Sequence, residues 1–446
     1  MAPLTHPPAP SEARVPAATT AHQPRGMTAP AAASRPRLAW LDALRGTAAL
    51  CVVYEHWGAR VLPQVHAVVF SVFDPGLYGV LVFFLISGYI VPASLERAGS
   101  VRTFWISRLF RLFPLFAVVV GVTLALGVLG LPVLRYTNEN VAASVLSHMF
   151  MLSDLLGGPD LIAVIWTLSY EMVFYLLVTA LFTARLHRRS GWFAVTLACG
   201  AVGLGGLLPT AWLSGHTPGP TAVALAADIL VIGGLAVAVI TRGLPRSIGA
   251  WTAAGTGTVL VLFNAHRFGY EGLTILALMF TGTLIHRAQR GQVSRRAAAM
   301  VTPCVFAAAA AAGAWHIPAL TTSSQSALEQ RQWVMSVVLA GLTFAGGLAL
   351  HNIRVPPAIA WLGQVSYSVY LVFPLLLDIY DSVPLPASYE HEAWLQIGAS
   401  AVFLVALLGT AAISYRLVEA PMQQLGRRVA ARLDVRFGPD TVAAAR

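Results

Sequence analysis

Residues Leu112 to Leu131 read LFPLFAVVVGVTLALGVLGL, twenty in a row without one ionisable side chain. A helix of that length covers about 30 Å, the thickness of the hydrocarbon layer of a bilayer. Runs of about this size recur from Thr47 to Tyr415. Composition agrees: 57% of residues are hydrophobic, 11% are charged and the mean hydropathy is +0.70, against about 25% charged in an ordinary soluble domain. A water-soluble fold could not bury that much apolar surface. The sequence therefore predicts an all-α protein, a polytopic transmembrane helical bundle in one continuous membrane domain.

The same reading places spans at roughly 47–65, 76–94, 112–131, 166–184, 191–209, 221–240, 248–264, 271–285, 298–315, 333–350, 359–379 and 394–415. The run at 271–285 is short, and 141–156 reads as a loop or as an amphipathic or re-entrant helix. Residues 1–36 are rich in Pro, Ala, Ser and Thr and hold no apolar run. They read as a disordered cytoplasmic tail. The membrane domain occupies 37–422, and 423–446 is a basic cytoplasmic tail.

The formal net charge of +10 comes from short Arg clusters between apolar runs. Such clusters set membrane topology and do not form a nucleic-acid surface. With the N-terminal tail inside and the spans alternating, only Arg60, Arg135, Arg267 and Arg331 fall outside. The loops around Arg102 and Arg290 are then cytoplasmic. This asymmetry predicts an even number of spans, ten or twelve, with both termini cytoplasmic. The setting is a cell membrane, in this reading a bacterial plasma membrane. Cys51, Cys199 and Cys304 lie far apart within apolar runs, without the spacing of a disulfide framework or a metal site.

An ionisable group in hydrocarbon costs about 2.5–3.5 kcal/mol on insertion scales, so polar residues inside spans are candidates for function. These are Glu55, His56, Glu171, Asp228 and Asp378. Arg45 and His56 are eleven residues apart, which on a helix puts both on one face about 16 Å from each other. Arg45 reads equally as an anchor at the membrane boundary and His56 as a packed, hydrogen-bonded residue. Arg108 and Arg111, at i and i+3, would present two guanidiniums together, suited to phosphate oxygens, or would belong to one more topology cluster. Ser87-Gly88-Tyr89 marks a close backbone approach, a polar cavity lining or simple small-residue packing.

In order along the chain, these pieces resemble the acyltransferase 3 family of membrane O-acyltransferases. They are Leu41-Asp-Ala-Leu-Arg-Gly through His56, Gly79-Val80, Phe83-Phe84, Ser87-Gly-Tyr89, the Arg108 and Arg111 pair with Pro114, Trp166-Thr-Leu-Ser-Tyr-Glu171, Leu362-Gly-Gln-Val-Ser-Tyr-Ser-Val-Tyr-Leu371 and Tyr415-Arg-Leu-Val-Glu-Ala-Pro421. The resemblance spans residues 38–422. It implies transfer of an acetyl or other short acyl group from cytoplasmic acyl-CoA, with no metal, to a hydroxyl of a glycan, glycolipid or glycosylated natural product. His56 would be the catalytic base, and Glu171 would shape or polarise the site. Arg108 and Arg111, with Arg45 and Ser87, would hold the CoA. Glu171 and Glu55 are the candidates for orienting the His56 ring. At Phe373 the chain departs from the family, where Tyr-Leu-Val is often followed by His.

A proton-coupled transporter or flippase is the competing class, because a bundle with a few intramembrane carboxylates and a His also describes a carrier. No inverted repeat or matching pair of Gly/Pro-broken spans supports it.

Overall fold

The computed structural model describes residues 39–129, 146–156, 161–162, 164–215, 219–320, 323–382 and 392–438. The predicted tail at 1–36, Arg135 and residues 439–446 lie outside them. Among the described residues there is no strand. The chain is a multi-pass helical membrane protein: eight of its helices are long and apolar enough to cross a bilayer by length and composition.

The helices are α1 (Ala39–Val61), α2 (Pro63–Phe70), α3 (Pro75–Ala98), α4 (Val101–Val128), α5 (Ser153–Leu156), α6 (Trp166–Thr183), α7 (Ser190–Leu204), α8 (Pro220–Ile240), α9 (Gly243–Phe263), α10 (Gly269–Gln289), α11 (Arg295–Leu320), α12 (Ser323–Ala349), α13 (Pro357–Asp381) and α14 (Ala393–Ser414). A wide π turn at Tyr415–Glu419 leads into α15 (Ala420–Phe437).

Among the described residues each of the twelve predicted spans overlaps a helix, but those at 47–65, 191–209, 248–264 and 271–285 are not among the eight long and apolar enough to cross, and the ends differ where capping overrides hydropathy. Asp74 caps α3 by accepting from the Leu77 N–H at 2.8 Å, followed by Pro75 at the first helical position. Gly99, at φ +62°, ends α3, and Ser100 at once caps α4 through the Thr103 N–H at 3.1 Å. Helix α4 therefore begins at Val101, about three turns before the predicted span, and Arg102, Arg108 and Arg111 sit on it instead of in a loop.

Two further segments differ from the sequence reading. Helix α10 runs 21 residues where a short run was expected, and nearly all of its side chains are buried. Its neighbours α3, α7 and α11 pack around it, so its polar Thr residues face protein and not lipid. In the described part of 141–156, Ser147, His148 and Met151 to Leu156 are buried while Met149 is 49% exposed. Most of the predicted C-terminal tail is helix α15, docked on α4. Arg102 donates to Asp434 at 2.5 Å and to the Gly438 carbonyl at 2.6 Å.

Without a hydrophobic drive between helices in lipid, small residues let backbones approach. A Cβ at Gly88 would sit 1.9 Å from the Met279 carbonyl oxygen, and one at Gly282 would sit 2.3 Å from that of Leu85. Thr283 Oγ1 donates to the Gly88 carbonyl at 2.8 Å. This seam locks α3 to α10. Gly88→Ala is expected to destabilise the fold by on the order of 1–3 kcal/mol or more, as overpacking against backbone does. Thermal unfolding in detergent, followed by size-exclusion fluorescence, checks it; an unchanged transition would contradict the seam.

The Arg asymmetry gives a second prediction. Arg290 is exposed at the end of α10 and Val65 is 53% exposed on α2. In a background lacking the three free cysteines, Arg290→Cys is expected to react with an impermeant thiol reagent from the cytoplasmic side only. Val65→Cys is expected to react from the other side only. The opposite pattern would invert the topology.

Candidate functional site

Of the six residues to which the resemblance gives catalytic or CoA-holding roles, five line one cavity of about 780 Å³, mouth included: Arg45, Ser87, Arg108, Arg111 and Glu171. They come from α1, α3, α4 and α6, so no local segment could build the site alone. Arg108 is buried, donates to Ser94 Oγ at 2.7 Å, and lies 5.3 and 5.2 Å from the ring centroids of Phe104 and Tyr175. Glu171 accepts from Tyr175 Oη at 2.5 Å and from Ser87 Oγ at 3.0 Å. The polar lining and the close approach that Ser87-Gly88 left open are thus both present, one at each residue.

Behind the guanidiniums, the π turn aims Glu419 into the bundle, where Ser368 Oγ donates to it. Arg111 and Arg45 are within its electrostatic reach. The cavity lining itself carries three guanidiniums and one carboxylate, Glu171, with Asp42 and Glu419 as further counter-charges near Arg45. A lining with that excess of guanidiniums suits an anion.

His56 lies elsewhere. It lines a second cavity of about 1120 Å³, open mouth included, with Glu55, Asp74, Arg267, Glu271 and Glu329 and the aromatic side chains Trp166, Tyr270 and Trp333. Its ring stacks on Phe373, with centroids 5.4 Å apart and planes at 19°. Phe373, the position where the chain departs from the family pattern, is therefore in direct contact with the candidate base.

Neither proposed orienting carboxylate bonds the His56 ring. Glu171 belongs to the other cavity, and Glu55 pairs with His66 Nε2 at 3.2 Å. Successive residues on a helix point about 100° apart, which separates Glu55 from His56. Asp228 and Asp378 line neither cavity.

The second cavity is acidic. Arg267 is neutralised by Glu271 at 2.9 Å and stacks on Trp166 with its guanidinium carbon 3.5 Å from the ring centroid. Burial pushes the Asp74 carboxyl above its ordinary range. Carboxylates between aromatic walls can accept hydroxyl hydrogen bonds while ring faces cover apolar surface.

Sequence reasoning missed Tyr370, Val80 and Phe373 as site residues, along with most of this second lining. One signal pointed to it: Arg267 is one of the few Arg residues on the wrong side of the topology rule. Arg60, another of them, pairs with Asp381 at 3.0 Å. Arg60 and Arg267 thus each have a carboxylate partner.

A family profile described as an acyltransferase domain matches residues 38–418. "Nodulation protein 10" of Rhizobium leguminosarum bv. viciae is 33% identical over 136 residues, 27% of this chain and 37% of that protein. "Putative acetyltransferase ORF330" of Acidianus two-tailed virus is 29% identical over 169 residues, 37% of this chain and 45% of that protein. Each match spans less than half of the relative's own length. No solved structure matches the chain.

Proposed function

The chain belongs to the acyltransferase 3 family, and from that premise we propose that it transfers a short acyl group from acyl-CoA to a hydroxyl of a sugar-bearing acceptor. The observation that carries this reading is the pairing of two unlike cavities. One gathers Arg45, Arg108 and Arg111 as donors for an anion; the other holds an imidazole among carboxylates and aromatic rings.

The donor end follows from charge. CoA is rich in phosphate, and guanidinium forks match phosphate oxygens better than point charges do. By the Arg asymmetry this end faces the cytoplasm, where acyl-CoA is made. Glu171, tied to Ser87 and Tyr175, is a fixed counter-charge that keeps neighbouring guanidiniums from repelling one another. This replaces the sequence-based idea that it orients His56.

At the acceptor end, neutral His56 takes the hydroxyl proton as the oxygen forms its bond to the thioester carbonyl carbon. The C–S bond then breaks, and the CoA thiolate leaves with the electron pair and is protonated in turn. An imidazole suits the step because its neutral ring offers a nitrogen lone pair to the hydroxyl proton. Glu55, Asp74 and Glu329 would accept hydrogen bonds from the other hydroxyls of a sugar, with Trp166, Tyr270 and Trp333 against its apolar faces.

Purified protein incubated with isotopically labelled acetyl-CoA and a set of alkyl glycosides tests this reading. Labelled, base-labile ester on the glycoside is the expected product. Its absence across donors and acceptors, with the protein folded, would overturn it.

A further inference from the structure

The two cavities abut at two side chains. Val80 of α3 and Tyr370 of α13 line both. If acyl transfer runs between the cavities, the thioester carbonyl has to be presented at this partition, with its sulfur on the guanidinium side and the acceptor oxygen on the His56 side. The acyl substituent then lies against Val80 and Tyr370.

Neither side chain is free to yield. The Tyr370 hydroxyl is 2.8 Å from Thr167 Oγ1 and donates to the Val164 carbonyl at 3.0 Å. Its ring meets Phe83 and Phe373 edge-on at 5.9 and 6.2 Å between centroids. Phe373 in turn stacks on His56. Val80 is buried, and its backbone is pressed to α1. A Cβ at the preceding Gly79 would lie 2.5 Å from the Ala48 carbonyl oxygen and 2.9 Å from Val52 Cγ2. A β-branched side chain in a helix keeps essentially one χ1 rotamer, so Val80 can neither swing aside nor retreat.

We propose that Val80 and Tyr370 form a rigid aperture that sets the length of the acyl group this protein transfers. The inference rests on the acyl-transfer reading above and adds the specificity determinant to it. A flexible wall would accept a range of chains by repacking; a wall pinned on both sides discriminates by volume. One methylene more or less in such a pocket typically changes kcat/KM by about 10- to 200-fold.

The test is the ratio of kcat/KM for butyryl-CoA to that for acetyl-CoA, measured on one acceptor. A ratio is independent of how much of each variant is folded. Val80→Ala is expected to raise it by about tenfold or more, and Val80→Ile to lower it. Tyr370→Phe, which keeps the ring but releases both hydroxyl contacts, is expected to raise it by less than Val80→Ala. An unchanged ratio in both Val80 variants, with acetyl transfer still measurable, would overturn the aperture while leaving acyl transfer standing. A wild-type protein that transfers no acyl group from either donor would overturn the underlying reading and this one together.

Discussion

His56→Ala is expected to lower acyl transfer by about 10²- to 10⁴-fold, the contribution of a positioned general base, without loss of insertion or abundance. The fold should tolerate the change because the ring lines an open cavity and rests on Phe373. It holds no hydrogen bond that other helices need. Among the described residues no carboxylate is bonded to it, so the imidazole is expected to act without an orienting partner. His56→Gln, which retains bulk and polarity, should therefore be nearly as inactive, and added imidazole should restore part of the rate to the Ala variant. The check is turnover per folded protein in detergent or proteoliposomes. Near-normal turnover in both variants would exclude His56 as the essential base.

The second large effect concerns the donor. Replacing both Arg108 and Arg111 by Gln removes forked donors from the guanidinium-lined cavity, with a loss of about 1.5–3 kcal/mol per charge-assisted hydrogen bond. KM for acyl-CoA should rise accordingly, by roughly tenfold or more for each such bond. Part of any fall in kcat would reflect Arg108's packing against Phe104 and Tyr175. Acyl-pantetheine, which lacks the nucleotide phosphates, separates the two contributions. The wild type should use it poorly and the double variant little worse. If the double variant handles both donors as the wild type does, the pair serves topology alone.

Much of this site was legible before any coordinates, and the reason is geometric. Helical periodicity alone brings Arg108 and Arg111 to one face. The strict alternation of spans puts Arg45, Arg108 and Arg111 at one end of the bundle. The ordered motifs then name the helices that must meet. Residues whose role depends on a partner far away in sequence could not be found this way. Glu171 and Tyr175, four residues apart, share a helix face by spacing, but nothing in the sequence says that Ser87 joins them or that His56 stacks on Phe373.

Tyr370 and Val80 sat in plain view inside quoted motifs. Only the crossing of α3, α6 and α13 makes a partition of them. The fold shows the same division: the helices were readable from apolar length. Their ends at Gly99 and Ser100, and the burial of most of α10, follow from caps and neighbours that hydropathy does not see.

Sided proteoliposomes test the central claim most directly. With acyl-CoA supplied only on the side of Arg45, Arg108 and Arg111, and an alkyl glycoside only on the side of His56, mass spectrometry of the glycoside reports whether an acyl group has crossed from one cavity to the other. The glycoside is expected to gain the mass of one acyl group in wild-type vesicles and not in His56→Ala vesicles. A glycoside that crosses the membrane unmodified while acyl-CoA stays intact would contradict it and identify a carrier instead.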